Sequence, residues 1–232
     1  MECHSERSEE SPADEILRFA QDDKTRLTVY IPRHFVGDDA TARQLIADHP
    51  FAMLVTGGAA GVHVTHLPLL LADDGMTLIG HVARPNPHWQ AFAHGATVAV
   101  FQGPHAFVSR GWYREPADNV PTWNYAAVHV TGTPRLCDEA QSRDAVERLS
   151  ARFESPALPP VLEKKMGGLL KGIAAFHLPI ERLEVKFKMS QNKPAEIAGV
   201  IAGLEATGRP DELATAAWMK RNGGQTTISG KS

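Results

Sequence analysis

Residues 51–83 read FAMLVTGGAAGVHVTHLPLLLADDGMTLIGHVA, and this stretch decides the fold class. Segments 51–56, 62–71 and 76–83 are rich in Val, Leu, Ile, Thr and Phe, whose branched or flat side chains suit a pleated surface. Gly57-Gly58 and Asp74-Gly75 separate them, and such pairs give the backbone the freedom that tight turns need. The same grammar continues in 97–102 and 106–109, divided by Gly103-Pro104. Five short strands with turn punctuation predict an antiparallel barrel or sandwich. Segments 125–133 and 173–189 add two or three more strands. In the second, Val185, Phe187 and Met189 alternate with Glu184, Lys186 and Lys188, the period-two pattern of a half-buried strand.

Helices are peripheral in this reading. Ala40, Leu45 and Ile46 follow acidic capping residues and predict a short helix from Asp38 to Asp48. His49-Pro50 stops it, because a residue before proline is driven from helical geometry. Asp138 with Gln141 three residues on resembles a capping box, and Val146, Leu149 and Phe153 then recur at helical spacing. Segments 196–204 and 211–220 read as two short helices joined by Thr207-Gly208-Arg209-Pro210. Gly167-Gly168, between Lys165 and Leu169, is too sparse for a phosphate loop and loosens a helix. The chain is therefore mainly β with peripheral helices. It divides into a polar leader over 1–27, whose only apolar cluster is Ile16, Leu17 and Phe19; a barrel domain over 28–192; and a helical appendage over 193–232. The leader and the closing GGQTTISGKS read as disordered.

With 232 residues and 43% hydrophobic content, the chain can bury a full core without cross-links. Cys3 lies in the leader and Cys137 beside Asp138, a pattern that fits neither a disulfide framework nor a metal cluster and suits a reducing cytoplasm. No apolar run approaches the roughly 20 residues of a membrane span, and the N-terminus lacks a signal-peptide pattern, so no membrane partner is expected. A formal net charge of -3 with no visible basic patch gives no general attraction to a phosphate backbone, which argues against direct DNA contact.

The segment Gly80-His81-Val82-Ala83-Arg84-Pro85-Asn86-Pro87-His88-Trp89 carries the clearest chemistry. Its prolines hold Arg84 and Asn86 away from helical geometry, and Pro87 suits a first helical position with Asn86 as N-cap. A helix start beside Arg84 and His88 would make a phosphate pocket; the plain alternative is a shaped turn with Arg84 in a surface ion pair. His63, His66, His81, His88, His94, His105 and His129 crowd the same region. No metal site is expected, because His63 and His66 would point to opposite faces of a strand and no HxH or HExxH spacing exists. Pro121-Thr122-Trp123-Asn124-Tyr125 and Lys188-Met189-Ser190-Gln191-Asn192 pair aromatics with short polar groups, suited to a planar heterocycle or, equally, to a core or interface. No nucleophile-elbow, P-loop or dinucleotide fingerprint is present, and no catalytic residue is assigned.

Several phrases in order resemble the PaiB-type FMN-binding negative transcriptional regulators, split-barrel proteins related to pyridoxamine-phosphate oxidase. They are Tyr30-Ile31-Pro32-Arg33-His34-Phe35, His49-Pro50-Phe51-Ala52, Thr65-His66-Leu67-Pro68-Leu69, the segment from His81 to Trp89, Phe101-Gln102-Gly103-Pro104-His105-Ala106-Phe107-Val108-Ser109, 120–129 and Phe187-Lys188-Met189-Ser190-Gln191-Asn192. The resemblance covers about residues 28–204. It implies an FMN-binding split β-barrel and a homodimer with one FMN in each of two inter-subunit clefts. With the residue reading above, it nominates as cofactor-binding Thr65, His66, Leu67, His81, Val82, Ala83, Arg84, Asn86, His88, Trp123, Asn124, Tyr125, Lys188, Ser190 and Gln191. Two functions stay open: a flavin-dependent regulator or sensor, and an FMN-dependent oxidoreductase in which His66, Lys188 or Gln191 tunes the ring. Direct operator contact would fall to the C-terminal helices around Arg209, Lys220 and Arg221.

Overall fold

The computed structural model describes residues 29–58, 61–154 and 160–222; the leader and the GGQTTISGKS tail lie outside them. The described strands are β1 (Phe51–Gly58), β2 (Gly61–Pro68), β3 (Leu70–Leu71), β4 (Thr77–Ala83), β5 (Ala96–Val108), β6 (Thr122–Gly132), β7 (Arg135–Leu136), β8 (Ile173–Pro179) and β9 (Arg182–Lys188). They form two antiparallel sheets, one ordered β2-β1-β5-β6-β9 and the other β3-β4-β8-β7. Six helices surround them among the described residues: α1 (Asp39–Asp48), α2 (His88–Ala91), α3 (Glu139–Phe153), α4 (Pro160–Lys171), α5 (Ile197–Thr207) and α6 (Pro210–Asn222). The chain is thus mainly β with peripheral helices, and none of the described helices is long and apolar enough to cross a membrane.

Strand alternation builds one shared core. Ala52 and Leu54 of β1, Ala99 and Phe101 of β5, and Ala126, Val128 and Val130 of β6 point inward. They meet Leu78, Val82, Phe176 and Leu178 of the second sheet in a single cluster. Each fully buried Leu, Val or Phe among them is worth about 1.5–3 kcal/mol, so the alternating pattern fixes the register. The helices close the ends and flanks. Asp38 caps α1 by accepting the Thr41 N–H at 2.8 Å. Asp138 and Gln141 form the reciprocal capping box of α3, at 2.8 and 3.1 Å, and Ala145 of α3 packs on Ile79 and Ala175 on the outside of the second sheet. α6 packs on β5 and sends Trp218 and Met219 into the core.

Two expectations change. Segments 97–102 and 106–109 are one strand, β5, whose pairing with β6 shifts register between Gln102 and His105. Gly103-Pro104 makes a bulge instead of a turn: proline has no N–H to donate to the ladder, and a bulge absorbs the residue left without a pairing position. Segment 62–71 splits into β2 and β3, which belong to different sheets, while α4 runs from Pro160 to Lys171 through Gly167-Gly168.

The outer face of the five-stranded sheet is left without a covering helix over much of its width. Phe51, Val62, Val64, Phe107 and Trp123 are all exposed there.

Candidate functional site

The segment between β4 and α2 is tied to β1 and β2 through one buried imidazole. His88 is 1% exposed; its Nδ1 lies 2.8 Å from Thr65 Oγ1 and its Nε2 2.9 Å from Thr56 Oγ1, which continues to Thr97 Oγ1 at 2.8 Å. Asn86 closes the turn, donating from Nδ2 to Thr65 Oγ1 at 3.1 Å and accepting the His88 N–H on Oδ1 at 3.0 Å. Burial, with the stacked His63 adding to it, lowers the His88 pKa to about 4, so the ring is neutral, with one nitrogen donating and the other accepting. Asn86 thus bonds the entry to α2 through its side chain, but the N-cap position is Pro87 and not the expected Asn86. The helix behind it is a single turn of four residues, and its His88 N–H is already spent, which leaves little of the expected helix dipole. Arg84 is exposed beside this turn, its guanidinium 5.3 Å from the centre of the Trp89 ring, while the Trp89 indole N–H donates to Arg84 O. No carboxylate among the described residues pairs with it.

A groove crosses the outer face of the five-stranded sheet. One lobe, of about 540 Å³, is lined by Asp48, His49, Pro50, Phe51, Pro68, Gln102 and Phe153. The next, of about 340 Å³, is lined by Val100, Gln102, His105, Trp123, Tyr125 and Ala127. Gln102 belongs to both. The sequence reading did not single out Gln102 or His105 as site residues; the signal was their place beside Gly103-Pro104, where the bulge keeps both side chains outward.

At the far edge, Lys188 reaches back over the β6 end, donating to Trp123 O at 2.7 Å and to Thr122 Oγ1. Burial first, and Lys186 second, lower its pKa. Trp123 stacks on His105 with ring centres 6.3 Å apart. Behind them Asn124, 1% exposed, donates to Ser190 Oγ at 2.9 Å and accepts in return on Oδ1. Ser190 holds a left-handed φ of 64°. Gln191 is turned onto the main chain, accepting the Met189 N–H at 2.6 Å and donating to Phe187 O.

The nominated residues thus fall into two groups. Thr65, Arg84, Asn86 and His88 gather at the β2 edge, and Trp123, Asn124, Tyr125, Lys188, Ser190 and Gln191 at the β6–β9 edge. Three strand spacings, about 14 Å, separate β2 from β6. Others lie apart from both. Leu67 and Val82 are core residues. His81 faces away from the core on the sheet face that α3 covers, its Nδ1 without a partner. Ala83 is exposed at the end of β4, and His66 stacks on Phe51 on the outer face.

Residues 29–182 match a protein-family model described as "Putative FMN-binding domain". The chain is 32% identical to the Bacillus subtilis protein "Protease synthase and sporulation protein PAI 2" over 202 residues, spanning 83% of this chain and 97% of that one. The chain belongs to the PaiB-type FMN-binding family. A protein of Emericella nidulans is 30% identical over 217 residues, 72% of this chain and 86% of that one. Among solved structures, the flavocytochrome Anf3 from Azotobacter vinelandii superposes with a TM-score of 0.52 at 16% identity, covering 68% of this chain and 72% of that chain. The FAD and heme binding protein from Mycobacterium smegmatis gives 0.51 at 15%, covering 65% and 71%. These likenesses show the fold of the PaiB-type chain as the split barrel.

The residues present fit FMN, the cofactor of this family. The two lobes lie within the usual size of a cofactor site, and their walls offer what a flat heterocycle needs: the apolar faces of Val100, Trp123 and Tyr125 with the Gln102 amide between them. Arg84 supplies an unpaired, planar, always charged donor set suited to a phosphate.

Proposed function

We propose that this chain is a flavin-dependent sensor or negative transcriptional regulator that works as a homodimer in the cytoplasm, with FMN held by the split-barrel segment 28–192. One observation carries the preference for sensing: the polar residues nominated for the cofactor are committed to the scaffold. Lys188 is bonded to Trp123 O and Thr122, Gln191 to its own turn, Asn124 to Ser190, and His88 to two threonines. Groups tied down in this way orient a ligand well but have little freedom to carry protons for a substrate. FMN, when bound, supplies a redox centre; Arg84 holds its phosphate, Gln102 and Lys188 orient the ring edge, and Trp123 and Tyr125 exclude water from its face.

The two groups at opposite edges of one sheet support the dimer. A second copy related by a two-fold axis brings the β2-edge group of one chain against the β6–β9 group of the other, and buries Phe51, Val64 and Trp123 in an isologous contact. Regulation through a protein partner fits better than direct operator reading. Arg209 pairs with Glu212, Lys220 pairs with Glu205, and Arg221 lies over the Trp218 ring, so the basic side chains of α6 and its entry are engaged locally. A second reading, FMN-dependent oxidoreduction, is favoured by Lys188, whose depressed pKa leaves a proton easier to release.

Titration with FMN tests the cofactor assignment at Arg84. Loss of a charge-assisted phosphate contact is worth roughly 1.5–3 kcal/mol, so Arg84→Ala should weaken FMN about ten- to a hundredfold with the fold intact. Unchanged affinity would place the phosphate elsewhere. Stopped-flow mixing of the FMN-loaded protein with NADH and NADPH separates the two functions, since rapid, saturable flavin reduction would favour the oxidoreductase.

A further inference from the structure

A separate cavity of about 150 Å³ lies at the β6–β9 end, lined by Tyr113, Thr122, Lys188, Ser190, Asn192 and Lys193 among others. Its wall is rich in hydrogen-bond donors, and no carboxylate lines it. Lys188 spends two of its three N–H bonds on Thr122 and Trp123 O. Lys193 donates to Asn119 Oδ1 and sits 5.1 Å from the centre of the Tyr113 ring, leaving further N–H bonds free. The Tyr113 side chain is buried and lines the cavity. Neither ammonium pairs with an acid among the described residues. Glu196, the carboxylate felt by Tyr113, is outside the lining and accepts the Arg114 N–H at 2.8 Å.

Two ammonium groups with no acid partner among the described residues and a phenol hydroxyl surround one small space. We infer that this cavity takes the carboxylate or phosphate group of a small anionic molecule other than FMN, one site per chain, with Lys188 and Lys193 as the charged partners and Tyr113 as the neutral donor. Burial keeps the Tyr113 hydroxyl protonated and depresses the Lys188 pKa, a penalty that a bound anion relieves. The inference deepens the flavin reading, because Lys188 also faces the groove through its pairing with Tyr125. The second ligand of the sensor is then a small acid bound at the edge of the flavin.

Isothermal titration at fixed ionic strength, with sodium chloride as the baseline, tests this with inorganic phosphate and with succinate, on FMN-free and FMN-loaded protein. At least one anion should bind saturably, one per chain, in both forms. Removing one charged or neutral donor should weaken it at least about fivefold in Lys193→Ala and in Tyr113→Phe, with FMN affinity unchanged in both. Tyr113→Phe keeps the ring under Lys193, so a folded variant is secured. Binding lost on FMN loading would assign the cavity to the FMN phosphate and overturn the inference. No saturable binding, or binding indifferent to both substitutions, would overturn it as well. Anion binding without any FMN binding would sink the flavin reading while leaving this site standing.

Discussion

Replacing His88 by glutamine removes a titratable ring from the centre of the Thr65–Thr56–Thr97 hydroxyl chain while keeping an amide able to bond one threonine. The ring is nearly inaccessible and its pKa lies at about 4 against an ordinary 6.5. A depressed histidine pKa means that the unfolded chain binds the proton first. Stability is then fully present above pH 6.5 and is lost as the pH falls towards 4. The whole interval corresponds to about 3 kcal/mol, of which about 2 kcal/mol is gone by pH 5. His49, His81 and His129 are depressed by burial too and add loss of the same sign, so the wild-type curve alone does not isolate His88. Urea unfolding at pH 7.5, 6, 5 and 4.5 of both proteins does. The glutamine variant should start lower at pH 7.5, by about 1–3 kcal/mol for the bond it cannot make, and then fall less steeply, so that the two curves converge on acidification. Parallel curves down to pH 4.5 would show that His88 is not held neutral by its setting, and the reading of it as a positioning residue would fail.

Other substitutions probe different layers. Phe51→Glu combined with Val64→Glu places charges on the uncovered sheet face; on the proposed dimer, light scattering should report a dimer mass for the unaltered chain and a monomer mass for the variant, and equal masses would refute the proposed interface. Asp138→Ala removes one half of the α3 capping box and should lower unfolding stability by about 0.5–2 kcal/mol without touching FMN affinity. Gly132→Ala drives a methyl group against Pro179 O and Leu178, and chemical denaturation should show a loss of about 1–3 kcal/mol; a neutral result would mean that the β6 end can shift away from β8.

What was legible in the sequence was what repeats or sits locally. The alternation of Val185 and Phe187 with Lys186 and Lys188 gives β9 its faces, and Asp138 with Gln141 announces α3 from four consecutive residues. The bond from the His88 N–H to the Asn86 side chain is equally local. The role of His88 was not legible, because its partners Thr56 and Thr65, and Thr97 bonded in turn to Thr56, come from three strands and only folding brings them together. Gly103-Pro104 misled because the pair lowers local strand propensity, and tertiary pairing overrides propensity. The separation of the nominated residues into two edge groups was out of reach too, since strand order is not a property of any one segment. Gln102 escaped notice because an exposed amide on a strand looks like ordinary solvent-facing polarity.

The bulge in β5 has a consequence for how this protein can change in length. Gln102 and His105 are three positions apart, an odd number, yet both face outward; in a regular strand His105 and Phe107 would turn into the core and Ala106 and Val108 would turn out. One surplus residue is therefore stored at Gly103-Pro104, where a Cβ on Gly103 would come within 2.8 Å of Leu45 Cδ1. Removing that residue restores simple alternation and preserves both faces, whereas a deletion anywhere else in β5 inverts every side chain on one side of the cut. The strand is a ruler with a single sliding joint, and length variants selected for folding should collect their indels at that joint.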